Sequence, residues 1–128
     1  EIKMLELMLN NRRPIYEQLT EGITRLVVSG VLEPGAALPS VRELATELAI
    51  NPNTVQKAFT ELERSGVSYS VNGKGRFVKD DVKALKKKQS DGIFHDIAEL
   101  LKKLKKYGIS EEETVERIKS IYRGEQHD

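Results

Sequence analysis

The most constraining feature of this chain is a succession of helix starts and turn signals in its middle third. Ser40 and Glu43 have the spacing of a capping box, in which each side chain satisfies a backbone amide at a helix start. Asn51 and Pro52 mark a second start, because asparagine caps helices well and proline has no amide hydrogen to leave unpaired. Gly66 suits the left-handed residue that follows a helix end. The two predicted helices are 41–49 and 52–65.

The residues that follow have the pattern of a β-hairpin. From Val67 to Val71, apolar residues alternate with serines, as in a strand with one buried face. Asn72 and Gly73 predict a two-residue hairpin turn, and Gly75–Val78 supplies the returning strand. The order helix, turn, helix and hairpin predicts a winged helix-turn-helix, a module that places its second helix in the major groove of DNA.

The residues before this module predict one more helix and a short strand. Apolar residues repeat at helical spacing from about Ile15 to Ser29, which predicts a first helix and therefore a three-helix core. Leu5, Leu7 and Leu9 alternate along the chain, which indicates a short strand that could cover the edge of the hairpin.

The composition changes after Asp80 and Asp81, where the chain becomes rich in lysine with helical spacing of its apolar residues. Gly92 leaves open whether this stretch is one kinked helix or two. Ser110 and Glu113 form a second capping box, which predicts a last helix. The predicted fold is mainly α with a small β-hairpin. The predicted domains are a winged helix-turn-helix DNA-binding domain, 1–80, and a C-terminal helical dimerisation region, 81–128.

The composition bears on several classes of function. The formal net charge of the 128 residues is +1, so an argument for nucleic acid has to rest on local charge. Cysteine is absent, which excludes disulfides and thiolate zinc sites. With two histidines, His95 and His127, and no glycine-rich nucleotide loop, we expect no enzyme, no catalytic residue, no metal and no cofactor. The apolar stretches are too short to span a membrane, so we expect a cytoplasmic protein without membrane association.

Five segments of the first half of the chain are distinctive in combination. They are Pro14–Leu19, Leu32–Gly35, Leu38–Ala45, Asn51–Val55 and Gly73–Val78. These segments resemble the N-terminal domain of the GntR family of bacterial transcription regulators, and the short helical tail is most similar to the YtrA-like branch. The resemblance implies a repressor that binds a near-palindromic DNA operator as a homodimer, and a branch that often accompanies ABC transporter genes. The small-molecule effector stays unknown.

The predicted second helix supplies most of the candidate DNA contacts. Helix-turn-helix proteins contact bases with the first residues of this helix, and its apolar stripe of Val55, Phe59 and Leu62 leaves polar residues outside. Asparagine and glutamine pair with adenine, and lysine reaches guanine or phosphate. Most relatives have arginine at the position of Gln56, so a different base is expected there. The alternative is an ordinary solvated helix face.

Two further groups complete the candidate interface. The resemblance favours contact of Arg42 with a guanine or its phosphate, and the alternative is a surface ion pair with Glu43 or Glu47. In the hairpin, Lys74 is expected to contact phosphate, whereas strand alternation can turn Arg76 away from DNA. The candidate DNA-binding residues are Arg42, Asn51, Asn53, Thr54, Gln56, Lys57, Thr60, Asn72, Gly73, Lys74 and Arg76.

The apolar residues of the tail have the spacing of a coiled-coil seam. Ile93, Ile97, Leu100 and Leu104 follow a 4-3-4 pattern that puts them on one helix face. The simplest burial of this face is against a second copy of the chain, and the alternative is that the tail folds back on its own domain. The candidate dimerisation residues are Ile93, Ile97, Leu100, Leu101, Leu104, Tyr107, Val115, Ile118 and Tyr122.

Two other classes of function remain open at this point. The same module can dock a protein instead of DNA, or it can bind a structured RNA. Binding through several phosphates weakens steeply as salt is added, while a mixed protein interface responds less. Salt dependence therefore distinguishes the hypothesis of DNA binding from the hypothesis of protein docking.

Overall fold

The fold is mainly helical with one antiparallel β-hairpin, as predicted. The structure, a computed structural model, describes residues 9–125. Leu5 and Leu7, on which the prediction of an N-terminal strand depends, lie outside the described residues. The elements are α1 (Ile15–Val28), α2 (Val41–Leu48), α3 (Pro52–Arg64), β1 (Ser68–Val71), β2 (Gly75–Val78), α4 (Val82–Lys106) and α5 (Glu111–Tyr122).

The chain forms two compact units, Glu1–Lys87 and Lys88–Asp128. They divide inside α4, whereas the functional division predicted after Asp80 stays a prediction. The first unit, here called the head, has a core in which α1 and α2 pack on α3. Phe59 is the largest of its fully buried side chains, and Leu85 of α4 also belongs to this core. Other members are Leu19, Ile23, Leu44, Val55, Leu62 and Val78.

The helix starts of the head are the ones that the sequence predicts. Ser40 Oγ accepts from the Glu43 amide at 3.1 Å, and a Glu43 carboxylate oxygen accepts from the Ser40 amide at 2.8 Å. These two bonds make a complete capping box. They lower the pKa of Glu43, first through the bond from the Ser40 amide and then through the bond with the Ser40 side chain. At the start of α3, Asn51 Oδ1 accepts from the Asn53 amide at 2.8 Å. Both helices therefore begin where local hydrogen bonds fix them.

The turn between α2 and α3 contains a strained alanine. Ala49 has a φ of 56° and a ψ of 46°, in the left-handed region, and is the one non-glycine residue with positive φ in the described chain. The Ile50 amide donates to Ala45 O at 3.0 Å, and the Ala49 amide to Thr46 O at 3.3 Å. This is the hydrogen bonding of a Schellman motif, in which glycine is the usual left-handed residue.

The hairpin, residues 68–78, is here called the wing. Val71 pairs with Gly75, so three residues connect the strands and the prediction of a two-residue turn is wrong. Gly73 has a φ of 76° while Asn72 does not have positive φ, and the Lys74 amide donates to Val71 O at 2.9 Å. A two-residue Asn-Gly turn would need positive φ at both residues. In the turn Val71–Lys74 the positive φ instead falls on the third residue, Gly73, as a type II turn requires.

An extended segment before α2 pairs with the outer side of β2. Ala37 forms a bridge with Phe77, and the Leu38 amide donates to the carbonyl oxygen of Arg76 at 2.9 Å. The Val78 amide donates to Ala36 O, also at 2.9 Å. This segment gives partners to the second edge of β2, which would otherwise present unpaired backbone groups.

The second unit contains most of α4 and all of α5. Helix α4 runs without a break through Gly92, so it is one helix and not two. After α4, Gly108 has a φ of 79° and begins the turn to α5. Ser110 Oγ accepts from the Glu113 amide at 3.1 Å, but the Glu113 carboxylate lies 3.5 Å from Arg117. The second capping box is therefore formed by its serine half alone.

We expect Ala49→Gly to raise the free energy of unfolding by about 1 kcal/mol. The left-handed backbone costs an L residue roughly 1–2 kcal/mol, and the greater freedom of glycine in the unfolded chain takes back roughly 0.5–1 kcal/mol. Urea denaturation measures the difference. Ala45→Gly is the matched control, because Ala45 is helical and buried and its replacement should lower stability. An Ala49→Gly protein that is less stable than the parent would contradict the conclusion that the backbone of Ala49 is strained.

Candidate nucleic-acid interface

Helix α3 has one buried and one exposed face. Val55, Ala58, Phe59 and Leu62 are fully buried, which fixes the rotation of the helix about its axis. The opposite face carries Asn53, Gln56, Lys57 and Thr60, all exposed, with Thr54 half-buried beside them. The predicted division of the helix into inner and outer residues therefore agrees with the structure. Which of the outer residues contact DNA stays a prediction.

Two of the exposed residues of α3 already have partners within the protein. The amide nitrogen of the Gln56 side chain donates to Thr60 Oγ1 at 3.3 Å. The Lys57 ammonium lies 3.9 Å from the centroid of the Tyr16 ring at the start of α1. A cation over an aromatic face at an exposed site is worth about 0.5–1 kcal/mol, so a phosphate can compete for it. The position of Lys57 thus depends on α1, a contact that its sequence spacing did not predict.

The neighbouring turn adds two candidate residues. Asn51 is exposed, but its side-chain oxygen caps α3, so its amide NH₂ is the group that can donate to a ligand. Arg42, in the first turn of α2, is exposed and forms no ion pair with Glu43 or Glu47 within residues 9–125. The Glu43 carboxylate is engaged with Ser40 instead. The surface ion pair considered for Arg42 is therefore not formed.

The two cationic candidates of the wing, Lys74 and Arg76, differ in their exposure. Asn72, Gly73 and Lys74 are exposed in the loop. Arg76 is half-buried, and its guanidinium carbon lies 5.1 Å from the centroid of the Phe59 ring. Strand alternation thus turns Arg76 toward α3, as the sequence allowed.

The acidic groups of this region are paired locally. Arg64 forms a bidentate ion pair with Glu61, and the hydrogen bonds from its guanidinium lower the pKa of the Glu61 carboxyl. Glu63 accepts a hydrogen bond from the Ser70 hydroxyl at 2.8 Å. Neither carboxylate is left unpaired beside the outer face of α3. Between Asn51 and Lys79 five positive residues stand against these two carboxylates, so the local charge is positive, as an approach to phosphate requires.

Other kinds of site find little support in the described part of the chain. Residues 9–125 contain no group of three or more histidine, cysteine, aspartate or glutamate side chains that could hold a metal ion. Across the same residues, no helix has the length and apolar character that a membrane span needs.

The chain has the fold and the exposed helix face of a winged helix-turn-helix DNA-binding protein. The family described as bacterial regulatory proteins, gntR family, matches residues 15–78, which is half of the chain. The chain belongs to the GntR family of bacterial transcriptional regulators, which are DNA-binding proteins and not enzymes.

Individual known proteins show the same similarity. The HTH-type transcriptional repressor YtrA of Bacillus subtilis is 42% identical over 80 residues, which span 62% of each protein. A transcriptional regulator from Oenococcus oeni is 34% identical with a TM-score of 0.78, and the match covers 90% of this chain and 96% of that one. The structure of AraR(DBD) in complex with operator ORE1 is 32% identical with a TM-score of 0.50, over 56% of this chain and 89% of that one.

We expect Arg42→Ala and Lys57→Ala to weaken DNA binding without unfolding the protein, because both side chains are exposed. A base-contacting side chain is worth roughly 1–3 kcal/mol and its loss relaxes preference at one operator position, while loss of a phosphate contact weakens all sequences alike. Both effects are measured by fluorescence anisotropy on an operator that the parent protein selects from random DNA, and on variants of that operator.

Two controls accompany this measurement. Lys83→Ala removes one exposed positive charge from α4 that is not among the candidate DNA-binding residues, and it should leave affinity near that of the parent. Phe59→Ala should lower the free energy of unfolding by roughly 3–5 kcal/mol through lost core packing. Arg42→Ala and Lys57→Ala proteins that both bind like the parent would contradict the proposed docking.

Proposed function

We propose that this regulator is a repressor that binds a near-palindromic DNA operator as a homodimer. The observation that carries the proposal is the outer face of α3, where Asn53, Gln56, Lys57 and Thr60 are exposed because the opposite stripe is buried. Amide and ammonium groups on the first turns of such a helix suit base edges and phosphates in a major groove. The wing loop, with Lys74, is the proposed contact with the flanking backbone.

The similarity to YtrA supports the finer parts of this proposal. That protein is named a repressor. We propose repression here too, in which the bound regulator obstructs transcription. We further propose that the regulated genes include an ABC transporter operon and that the protein acts in the cytoplasm. The complex of AraR(DBD) with an operator supports double-stranded DNA as the partner.

The exposed apolar residues of the second unit support the homodimer. The side chain of Ile93 is 60% exposed and that of Leu100 57%, and Tyr107 and Tyr122 are more exposed still. A groove of about 450 Å³ opens between α4 and α5, lined in part by Leu101, Val115 and Ile118. Further exposed apolar residues are Ile97, Leu104 and Ile121.

Such a surface is removed from water only when a partner covers it. A second copy of the chain can do so, because it carries the same apolar surface. Contiguous apolar patches larger than a few hundred Å² are rare on monomers and usually mark an interface. A two-fold pairing would bury the seam Ile93, Ile97, Leu100 and Leu104 of each copy. It would also allow two α3 helices to lie about 34 Å apart in successive major grooves. The two-fold symmetry of such a dimer is why a near-palindromic operator belongs to the proposal.

Selection of DNA from a random pool by the purified protein tests the main proposal. We expect an enriched sequence with two related half-sites about one helical turn apart, and affinity that falls steeply between 50 and 200 mM salt. A shuffled sequence of the same composition is the control for non-specific attraction. If no sequence is enriched at physiological salt, or if affinity scarcely changes with salt, the protein-docking alternative replaces DNA binding.

We expect Leu100→Glu to convert the dimer to a monomer and to reduce operator affinity by more than tenfold. A buried carboxylate at the seam loses its hydration without gaining a partner, which destabilises the pairing. Ala98→Glu is the matched control, since Ala98 is exposed on α4 outside the seam. Analytical ultracentrifugation measures the assembly, and a Leu100→Glu protein that still sediments as a dimer would place the interface elsewhere.

A further inference from the structure

The side chain of Arg76 points toward α3 and away from the wing loop. Arg76 pairs with Ser70 across the wing and lies two residues from Val78 on the same strand, so it shares a face with that fully buried valine. Its guanidinium carbon is 5.1 Å from the centroid of the Phe59 ring. Its Nε atom is buried and has no hydrogen-bond partner in the described residues. Arg76 therefore connects β2 to the centre of α3.

We propose that Arg76 is a positioning residue, which sets the angle of the wing relative to α3, and that Lys74 makes the wing's contact with phosphate. This inference rests on the proposed function, since it concerns how the wing meets the operator. Lys74 is exposed in the loop, and its amide is fixed by a hydrogen bond to Val71 O. A small rotation at the base of the wing would therefore move Lys74 relative to the outer face of α3.

The geometry favours this role over a direct contact of Arg76 with DNA. To reach a phosphate, Arg76 would have to leave the face it shares with Val78 and uncover the ring of Phe59. A guanidinium that lies over an aromatic ring is also restrained in its position, which suits a structural contact better than a mobile one. The paired residue Ser70 binds Glu63 of α3 at 2.8 Å, so both members of this cross-strand pair tie the wing to the same helix.

A double-mutant cycle on the full chain tests the proposal. The parent, Lys74→Met, Arg76→Met and the double variant are compared for affinity to the selected operator over a range of salt. Methionine retains an unbranched stem but removes the charge. Loss of a phosphate contact lowers the slope of log affinity against log salt by about one for each wing. We expect this decrease in both single variants, because a displaced wing loses the Lys74 contact, and no further decrease in the double variant.

Other results overturn the proposal. A double variant whose slope falls by about two for each wing would mean that Arg76 itself binds phosphate. An Arg76→Met protein with the parent's affinity and slope would mean that Arg76 does not position the wing. A Lys74→Met protein with the parent's slope would exclude wing contact through Lys74 while leaving operator binding through α3 intact. Failure of the parent to select any sequence would overturn the proposed function, and this inference with it.

Two further measurements complement the methionine variants. Arg76→Lys keeps a charge but not the planar group, so it should bind as weakly as Arg76→Met if Arg76 positions the wing. Retention of the parent's affinity and slope would favour a simple phosphate contact. The Nε–H resonance of Arg76 should be shifted by the ring current of Phe59 and should keep that shift when operator is added. Its loss on DNA binding would mean that the side chain swings out to the ligand.

Discussion

The burial of Phe59 is the interaction on which the rest of the head depends. Its ring is fully buried in the core that α1 and α2 form with α3, and it fixes which way α3 faces. The exposure of Asn53 and Gln56 follows from that rotation, because both lie outside the buried stripe of the helix. Arg76 covers the same ring from the wing. One aromatic side chain thus sets the rotation of α3 and holds the wing beside it.

The parts of the fold that the sequence predicted correctly are those that local hydrogen bonds determine. The Ser40–Glu43 box and the Asn51 cap join residues two or three positions apart, so their spacing is sufficient evidence. Pairing of Ala37 with Phe77 joins distant segments, and no local pattern predicts it. The turn at Gly73 differs from the prediction because an Asn-Gly pair fits two turn geometries, and the pairing of the strands decides between them.

The candidate site shows the same limit. Which residues of α3 face outward could be predicted from its 3.6-residue period, but the partners of their side chains could not. Lys57 lies over Tyr16 because α1 packs beside α3, and Arg76 lies over Phe59 because of its place in the strand. Glu113 had two possible partners, and the pairing with Arg117 one turn later replaced the reciprocal half of its capping box. Competition between such partners depends on three-dimensional distances.

The partners of these cations also give a physical reason for the proposed dimer. Of the positive residues between Asn51 and Lys79, Lys57, Arg76 and Lys79 lie over aromatic rings, and Arg64 is paired with Glu61. Lys74 is the remaining one, so a single head offers DNA few positive side chains without a protein partner, chiefly Lys74 and, in α2, Arg42. Joining two heads makes the second binding event intramolecular and multiplies modest affinities without any new contact. An exposed apolar seam in the second unit is therefore the feature expected of a chain whose individual head binds weakly.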